Sequence, residues 1–150
     1  MRINRLSNKI RLKVKNSGIV KLASFNDYPD GNLYIAESGR NMPFKIKRIY
    51  YINALGNSKA IRGKHAHKKL DELLFCINGS FVLDIDDGRN KQSILIDDPS
   101  YGIRIKPGLW ITMHSFSQDC VLLALANDFF KESDYIRDYQ KFLEFIDNKK

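Results

Sequence analysis

The chain is short of several residue types, and each shortage excludes something. Its 150 residues hold two cysteines, Cys76 and Cys120, both inside apolar runs (LLFCI and DCVLLALA). That placement describes buried, reduced thiols rather than a disulfide framework, and it points to a reducing compartment and so to the cytoplasm. No apolar stretch approaches the roughly 18 to 20 residues that span a bilayer, and the first residues, MRINRLSNKIRLKV, lack the apolar centre of a signal peptide. Internal repeats, low-complexity tracts and proline-rich linkers are missing, which leaves one body, residues 21–150, preceded by an arm, residues 1–20. A chain of this length buries enough surface to fold without a metal or a disulfide.

Acidic residues are absent from the first 26 positions. Arg2, Arg5, Lys9, Arg11, Lys13, Lys15 and Lys21 give that stretch +7, whereas residues 27–150 hold 18 basic and 17 acidic groups. The formal charge of +8 therefore belongs to the arm, and the nearly neutral body has no basic stripe of the kind that binds nucleic acid specifically. Within the arm, Ile10, Leu12 and Val14 alternate with Arg11, Lys13 and Lys15, a period of two that predicts a half-buried edge strand with a charged outer face.

The body reads as short strands: Lys45 to Ile52, Leu73 to Ile77, Ser80 to Ile85, Ser93 to Ile96, Gly102 to Ile105 and Cys120 to Ala126. Asn78-Gly79 and Asp87-Gly88 suit hairpin turns. From Ser133 the period becomes helical through Tyr135, Ile136, Tyr139, Phe142, Leu143 and Ile146. The fold class that follows is all-β, an antiparallel sandwich or barrel carrying one C-terminal amphipathic helix.

Two of the three histidines fall in one run, RGKHAHKK. If that run is extended, His65 and His67 point to one face and act on one small object. A metal or a substrate satisfies that arrangement equally. The spacing His-X-His, four residues, Glu72, six residues, Gly79 resembles the first motif of the cupin superfamily, in whose metal-binding members the two histidines and the glutamate are ligands. The further histidine expected about five residues after Pro107 is Thr112 here, and His114 comes two positions late. The expectation is accordingly no metal and no cofactor, with a metal-dependent cupin using His65, His67 and Glu72 as the alternative.

Longer stretches narrow the resemblance. PFKIKRIYYI, RGKHAHKKLDE, LFCINGSFVLDIDDG, LWITMHSFSQDCVLLALANDFF and DYIRDYQKF together resemble the dTDP-4-keto-6-deoxyglucose 3,4-ketoisomerase family, from about Leu33 to Phe145. These are small sugar-nucleotide cupins related to the 3,5-epimerases of rhamnose synthesis. The resemblance implies a metal-free cupin β-roll (a jelly-roll barrel), a homodimer with exchanged N-terminal strands, and a nucleotide-linked 4-keto-6-deoxysugar as substrate. It also implies a place in the making of 3-amino-3,6-dideoxysugars.

The chemistry of that reaction fits the residues. Moving a ketone from C4 to C3 removes the C3 proton, passes through an enediol and returns a proton to C4, which is work for a base titrating near neutrality. By resemblance, His65 and His67 are the acid/base pair. Arg62 and Tyr51 are donors suited to an enediolate. Arg62, Lys69, Arg48 and Arg104 are candidates for the diphosphate, and Tyr50, Tyr51, Tyr101 and Trp110 for packing the base. His114 is either a substrate contact or a core histidine. Ile111 stands after Trp110, where the family usually carries histidine or arginine, and Asp30-Gly31 where Arg-Gly is common. These departures bear on the C4 configuration and on the identity of the nucleotide and sugar. They also keep open a non-catalytic sugar-nucleotide-binding cupin.

Overall fold

The computed structural model describes residues 3–6, 10–55 and 59–149. In chain order the strands are β1 (Ile3–Arg5), β2 (Ser17–Lys21), β3 (Ala23–Asn26), β4 (Asn32–Ile35), β5 (Arg48–Ile52), β6 (Arg62–His67) and β7 (Glu72–Asn78). They continue with β8 (Phe81–Asp86), β9 (Lys91–Ile96), β10 (Tyr101–Ile105), β11 (Trp110–His114), β12 (Val121–Ala126) and β13 (Tyr135–Ile136), and helix α1 (Tyr139–Asp147) follows. Two sheets face each other as a jelly-roll barrel. One runs β1-β9-β8-β11-β6-β13 and the other β2-β10-β7-β12-β5, while β3 and β4 form a separate exposed hairpin.

Alternation builds the core. Leu74, Cys76, Leu122 and Ala124 of one sheet meet Leu83, Ile85, Ile94, Ile111 and Met113 of the other, because every second side chain of a strand shares a face. Cys76 and Cys120 are both buried and reduced, their sulfurs 3.9 Å apart.

The two Gly turns behave differently. Asp87-Gly88 closes the β8–β9 hairpin, with the Asp87 carboxylate accepting from the N–H of Arg89 and Asn90. Asn78-Gly79 is no hairpin, since β7 and β8 lie in different sheets, and it carries the chain across the barrel. Gly79 has φ +71°, and a Cβ there would collide with Ser117 and Asp119, so both conformation and space demand glycine.

The arm departs from its expected form. Burial does alternate through Ile10–Val14, yet no ladder forms there. The Gln92 amide takes the place of a partner strand, accepting from Lys13 N–H at 3.0 Å and donating to the Arg11 carbonyl at 3.2 Å. Edge strands lie on either side of this segment: β1 runs parallel to β9, and β2 pairs with β10. Leu6 and Val14 are buried in the core, so part of the arm is a plug of the barrel.

The helix begins later than the periodicity predicts. Tyr135 and Ile136 pair with His67 and Ala66 as β13, and Asp138 then caps α1 by accepting from Lys141 N–H. Pairing with β6 overrides helical propensity for these two residues. The helix packs Phe142 against Trp110, and Tyr139 donates to Asp86 at 2.7 Å.

Candidate active site

β6 opens with a bulge. Gly63 and Lys64 both have positive φ, +80° and +54°, and the register with β11 shifts between Ile111 and Thr112. A Cβ on Gly63 would press on the Ile111 carbonyl, so glycine is needed where the bulge sets the pose of the following residues. Beyond it His65 and His67 share the inner face, their ring centroids 4.9 Å apart and nearly perpendicular. Ala66 between them faces outward to Ile136 and Phe142.

His67 is 2 % exposed and is held through one of its two nitrogens. Nδ1 lies 3.0 Å from Asp134 Oδ2, and Nε2 lies 3.8 Å from Glu72 Oε1. Asp134 also accepts from the N–H of Lys69 and Leu70, while its own carbonyl accepts from Lys68 N–H. Three backbone N–H groups thus fix the segment, and the carboxylate selects the His67 tautomer that carries its proton on Nδ1. Burial, reinforced by His65, lowers the His67 pKa to about 4 against the pull of Asp134. Burial lowers His65 also. Both imidazoles are therefore neutral at neutral pH, as proton acceptors must be.

Glu72, at the start of β7 in the opposite sheet, is 1 % exposed. Its Oε2 accepts from the Tyr50 hydroxyl at 2.9 Å, and its Oε1 has no hydrogen-bond partner among the described residues. Burial raises its pKa to about 7. One donor atom each from His65, His67 and Glu72 falls within 4.8 Å of the others. Arg48 lies over the rings of Tyr50 and Phe130, and its buried Nε likewise has no partner among the described residues.

Tyr135 completes the cluster. Its ring centroid is 4.9 Å from that of His65 and 4.4 Å from that of His67, and the Arg137 guanidinium sits 4.4 Å from it. Arg137 is itself fixed by two hydrogen bonds to Glu132, at 2.8 and 3.0 Å. A cleft of about 540 Å³, lined by Lys68, Tyr135, Arg137 and Lys141 among others, opens beside this ring.

The fold thus brings together His65, His67, Arg48 and Tyr50, and distributes the remaining expected residues elsewhere. Tyr51 alternates with Tyr50 and faces outward, 67 % exposed. Arg62 is exposed at the head of β6. Trp110 and His114 lie on the outer face of β11: Trp110 packs under Tyr139 and Phe142, and His114 binds Asp84 at 3.0 Å. Arg104 is paired with Asp71 at 2.5 Å, and Tyr101 is buried at the head of β10. Lys69 is exposed, its backbone tied to Asp134. Ile111 points inward, 1 % exposed, and is the cross-strand partner of His65. Asp30 sits in the exposed β3–β4 connection. Asp134, Tyr135 and Arg137 are additions that sequence reasoning missed. The run DYIRDY held them in view, but its helical spacing concealed their role.

A jelly roll with His-X-His and a buried glutamate converging on its inner face defines a cupin. The chain belongs to the FdtA family (WxcM-like, C-terminal), whose family model matches residues 15–147. It is 46 % identical over 116 residues to a TDP-4-oxo-6-deoxy-alpha-D-glucose-3,4-oxoisomerase of Aneurinibacillus thermoaerophilus, covering 77 % of this chain and 83 % of that one. The structure matches QdtA, a sugar 3,4-ketoisomerase of Thermoanaerobacterium thermosaccharolyticum solved with TDP. That match has TM-score 0.86 and 36 % identity, over 90 % of this chain and 97 % of that one. A TDP-fucose-3,4-ketoisomerase of Campylobacter jejuni, WlaRA, matches with TM-score 0.82 and 37 % identity, over 89 % and 97 %.

Proposed function

We propose that the protein is a sugar-nucleotide 3,4-ketoisomerase that moves the keto group of a TDP-linked 4-keto-6-deoxyhexose from C4 to C3. The observation that carries this reading is the pair of neutral histidines, 4.9 Å apart on one inner face, one of them anchored by Asp134. QdtA, a similar enzyme, has been solved as a histidine-to-asparagine variant with TDP-4-keto-6-deoxyglucose, which supports the substrate class.

The division of labour follows from exposure. His65, half-buried, takes the C3 proton, and the electron pair of that C–H bond moves toward C4 to give an enediolate. His67, buried and oriented through Nδ1, exchanges protons with the sugar oxygens at Nε2. Returning the carbon-bound proton to C4 while the C3 hydroxyl loses its own completes the isomerisation, C3 being oxidised as C4 is reduced, with no net redox change. Ile111 beside His65 neither donates nor accepts, so carbon protonation on that side belongs to the histidine.

Incubation with TDP-4-keto-6-deoxyglucose in D₂O, followed by NMR, tests the reading. Deuterium entering at C3 or C4 together with a 3-keto product is expected. Tight TDP-sugar binding with no exchange would instead favour a non-catalytic binding protein.

A second reading is favoured by the convergence of His65, His67 and Glu72 within 4.8 Å, which offers three ligands to a divalent cation. Elemental analysis after mild purification separates the two. Stoichiometric metal, with loss of turnover on chelation, would select this reading.

The active form is a homodimer with exchanged N-terminal strands. The largely exposed β3–β4 hairpin, with Phe25 and Leu33 uncovered, and the free edge of β5, with Ile49 63 % exposed, support it. Sedimentation should return twice the mass of the 17.4 kDa chain. No helix among the described residues is long and apolar enough to cross a membrane, and cytoplasmic work suits a sugar-nucleotide enzyme.

A further inference from the structure

Once the C3 proton has left, an oxygen on the sugar carries negative charge. Such an oxygen needs fixed hydrogen-bond donors. Tyr51 faces outward and Arg62 is exposed at the head of β6, so neither stands beside the histidines. The isomerase reading, on which this inference rests, therefore leaves the oxyanion without a donor.

We propose that Tyr135 and Arg48 form the oxyanion site, each donating a hydrogen bond to the oxygen that turns negative at the enediolate. Tyr135 stands against both imidazoles, with ring centroids at 4.9 and 4.4 Å. The Arg48 guanidinium reaches across from β5 to lie 5.9 Å from the centre of the Phe130 ring, which is itself 5.7 Å from the Tyr135 ring. The two residues come from opposite sheets, so the donors bracket the space in front of His65 and His67.

Two further facts fit this role. Arg48 Nε is buried without a partner among the described residues, and a buried unpaired donor is costly unless a ligand satisfies it. Burial also raises the Tyr135 pKa. The hydroxyl thus stays protonated and donates at neutral pH. Arg137, stacked on the outer side of the ring and locked to Glu132, holds that ring in place.

The test compares Tyr135→Phe and Arg48→Met with wild type for kcat and KM on TDP-4-keto-6-deoxyglucose, and for TDP affinity by calorimetry. TDP lacks the keto sugar and so reports only the nucleotide. Each variant should lose about 10²- to 10³-fold in kcat, with TDP affinity unchanged within about threefold. Tyr135→Phe keeps the ring and its packing, so it stays informative if Arg48→Met folds poorly. Turnover within threefold of wild type in Tyr135→Phe overturns the proposal. So does a fall in TDP affinity with kcat preserved in Arg48→Met, which would make Arg48 a diphosphate ligand instead. A wild type that binds TDP yet exchanges no deuterium refutes the isomerase reading itself, and the oxyanion site with it.

Discussion

Asp134 lies 67 positions from His67 in the chain and 3.0 Å from its Nδ1. The same carboxylate accepts from the backbone N–H of Lys69 and Leu70 and so ties the segment after β12 to the turn that follows the histidine-bearing strand. Orientation of the imidazole and anchoring of the β6–β7 connection rest on one carboxylate.

Asp134→Asn should therefore keep the fold and the TDP affinity while lowering kcat by about tenfold or more, since an amide neither enforces one tautomer nor balances an imidazolium. Nitrogen-15 NMR of the histidines reads the cause directly. Wild-type His67 should show its proton on Nδ1, and the variant a mixture. An unchanged tautomer with full turnover would remove Asp134 from the mechanism.

His65→Asn should abolish deuterium exchange, by about 10²- to 10⁴-fold, with TDP binding retained. In wild type, burial holds His65 below the ordinary histidine value of 6.5, so the acid limb of kcat/KM should have its midpoint below that pH. A pH–rate profile with its acid limb above 6.5 would assign the base elsewhere.

Much of this was legible in the sequence. The antiparallel barrel follows from period-two alternation, the buried thiols from their apolar neighbours and the His65/His67 pair from the rarity of histidine, while the β-roll itself comes from the family resemblance. What escaped was long-range. Nothing local distinguishes Asp134 and Tyr135 from residues of an amphipathic helix, and only pairing with β6 turns them inward. Trp110 and His114 sit in a matching motif, yet strand alternation sends them to the outer face while Ile111 takes the inner one. The one-residue bulge at Gly63 and Lys64 is a register event that no spacing rule exposes.

Glu72 and His67 pull stability in opposite directions with pH. Burial raises the Glu72 pKa from 4.5 to about 7, so the folded state binds that proton more tightly and Glu72's contribution falls as pH rises through this interval. His67, lowered from 6.5 to about 4, contributes the reverse. Glu72→Gln removes only the falling part. The stability of the variant relative to wild type should therefore grow between pH 4.5 and 7, by on the order of 3 kcal/mol in all. Urea melts across that range check it, and a difference independent of pH would show that Glu72 does not titrate there.

The arm predicts its own test. Leu6 is 2 % exposed within the barrel core, so Leu6→Ala should cost about 2–5 kcal/mol. If the basic charges served instead to steer the anionic substrate, kcat/KM of the intact protein would fall as salt rises. Salt-independent kcat/KM together with a lowered Tm in the variant identifies the arm as a plug.

β13 is two residues long and lies at the edge of its sheet, yet it delivers Tyr135 beside both histidines and sits next to Asp134. A strand so short lifts before the central ladders of β7 and β8 open. Catalysis and folding therefore have separate thermal limits. Warmed past the first, the enzyme should fall silent while intact and regain activity on cooling, because the barrel against which β13 docks has not come apart.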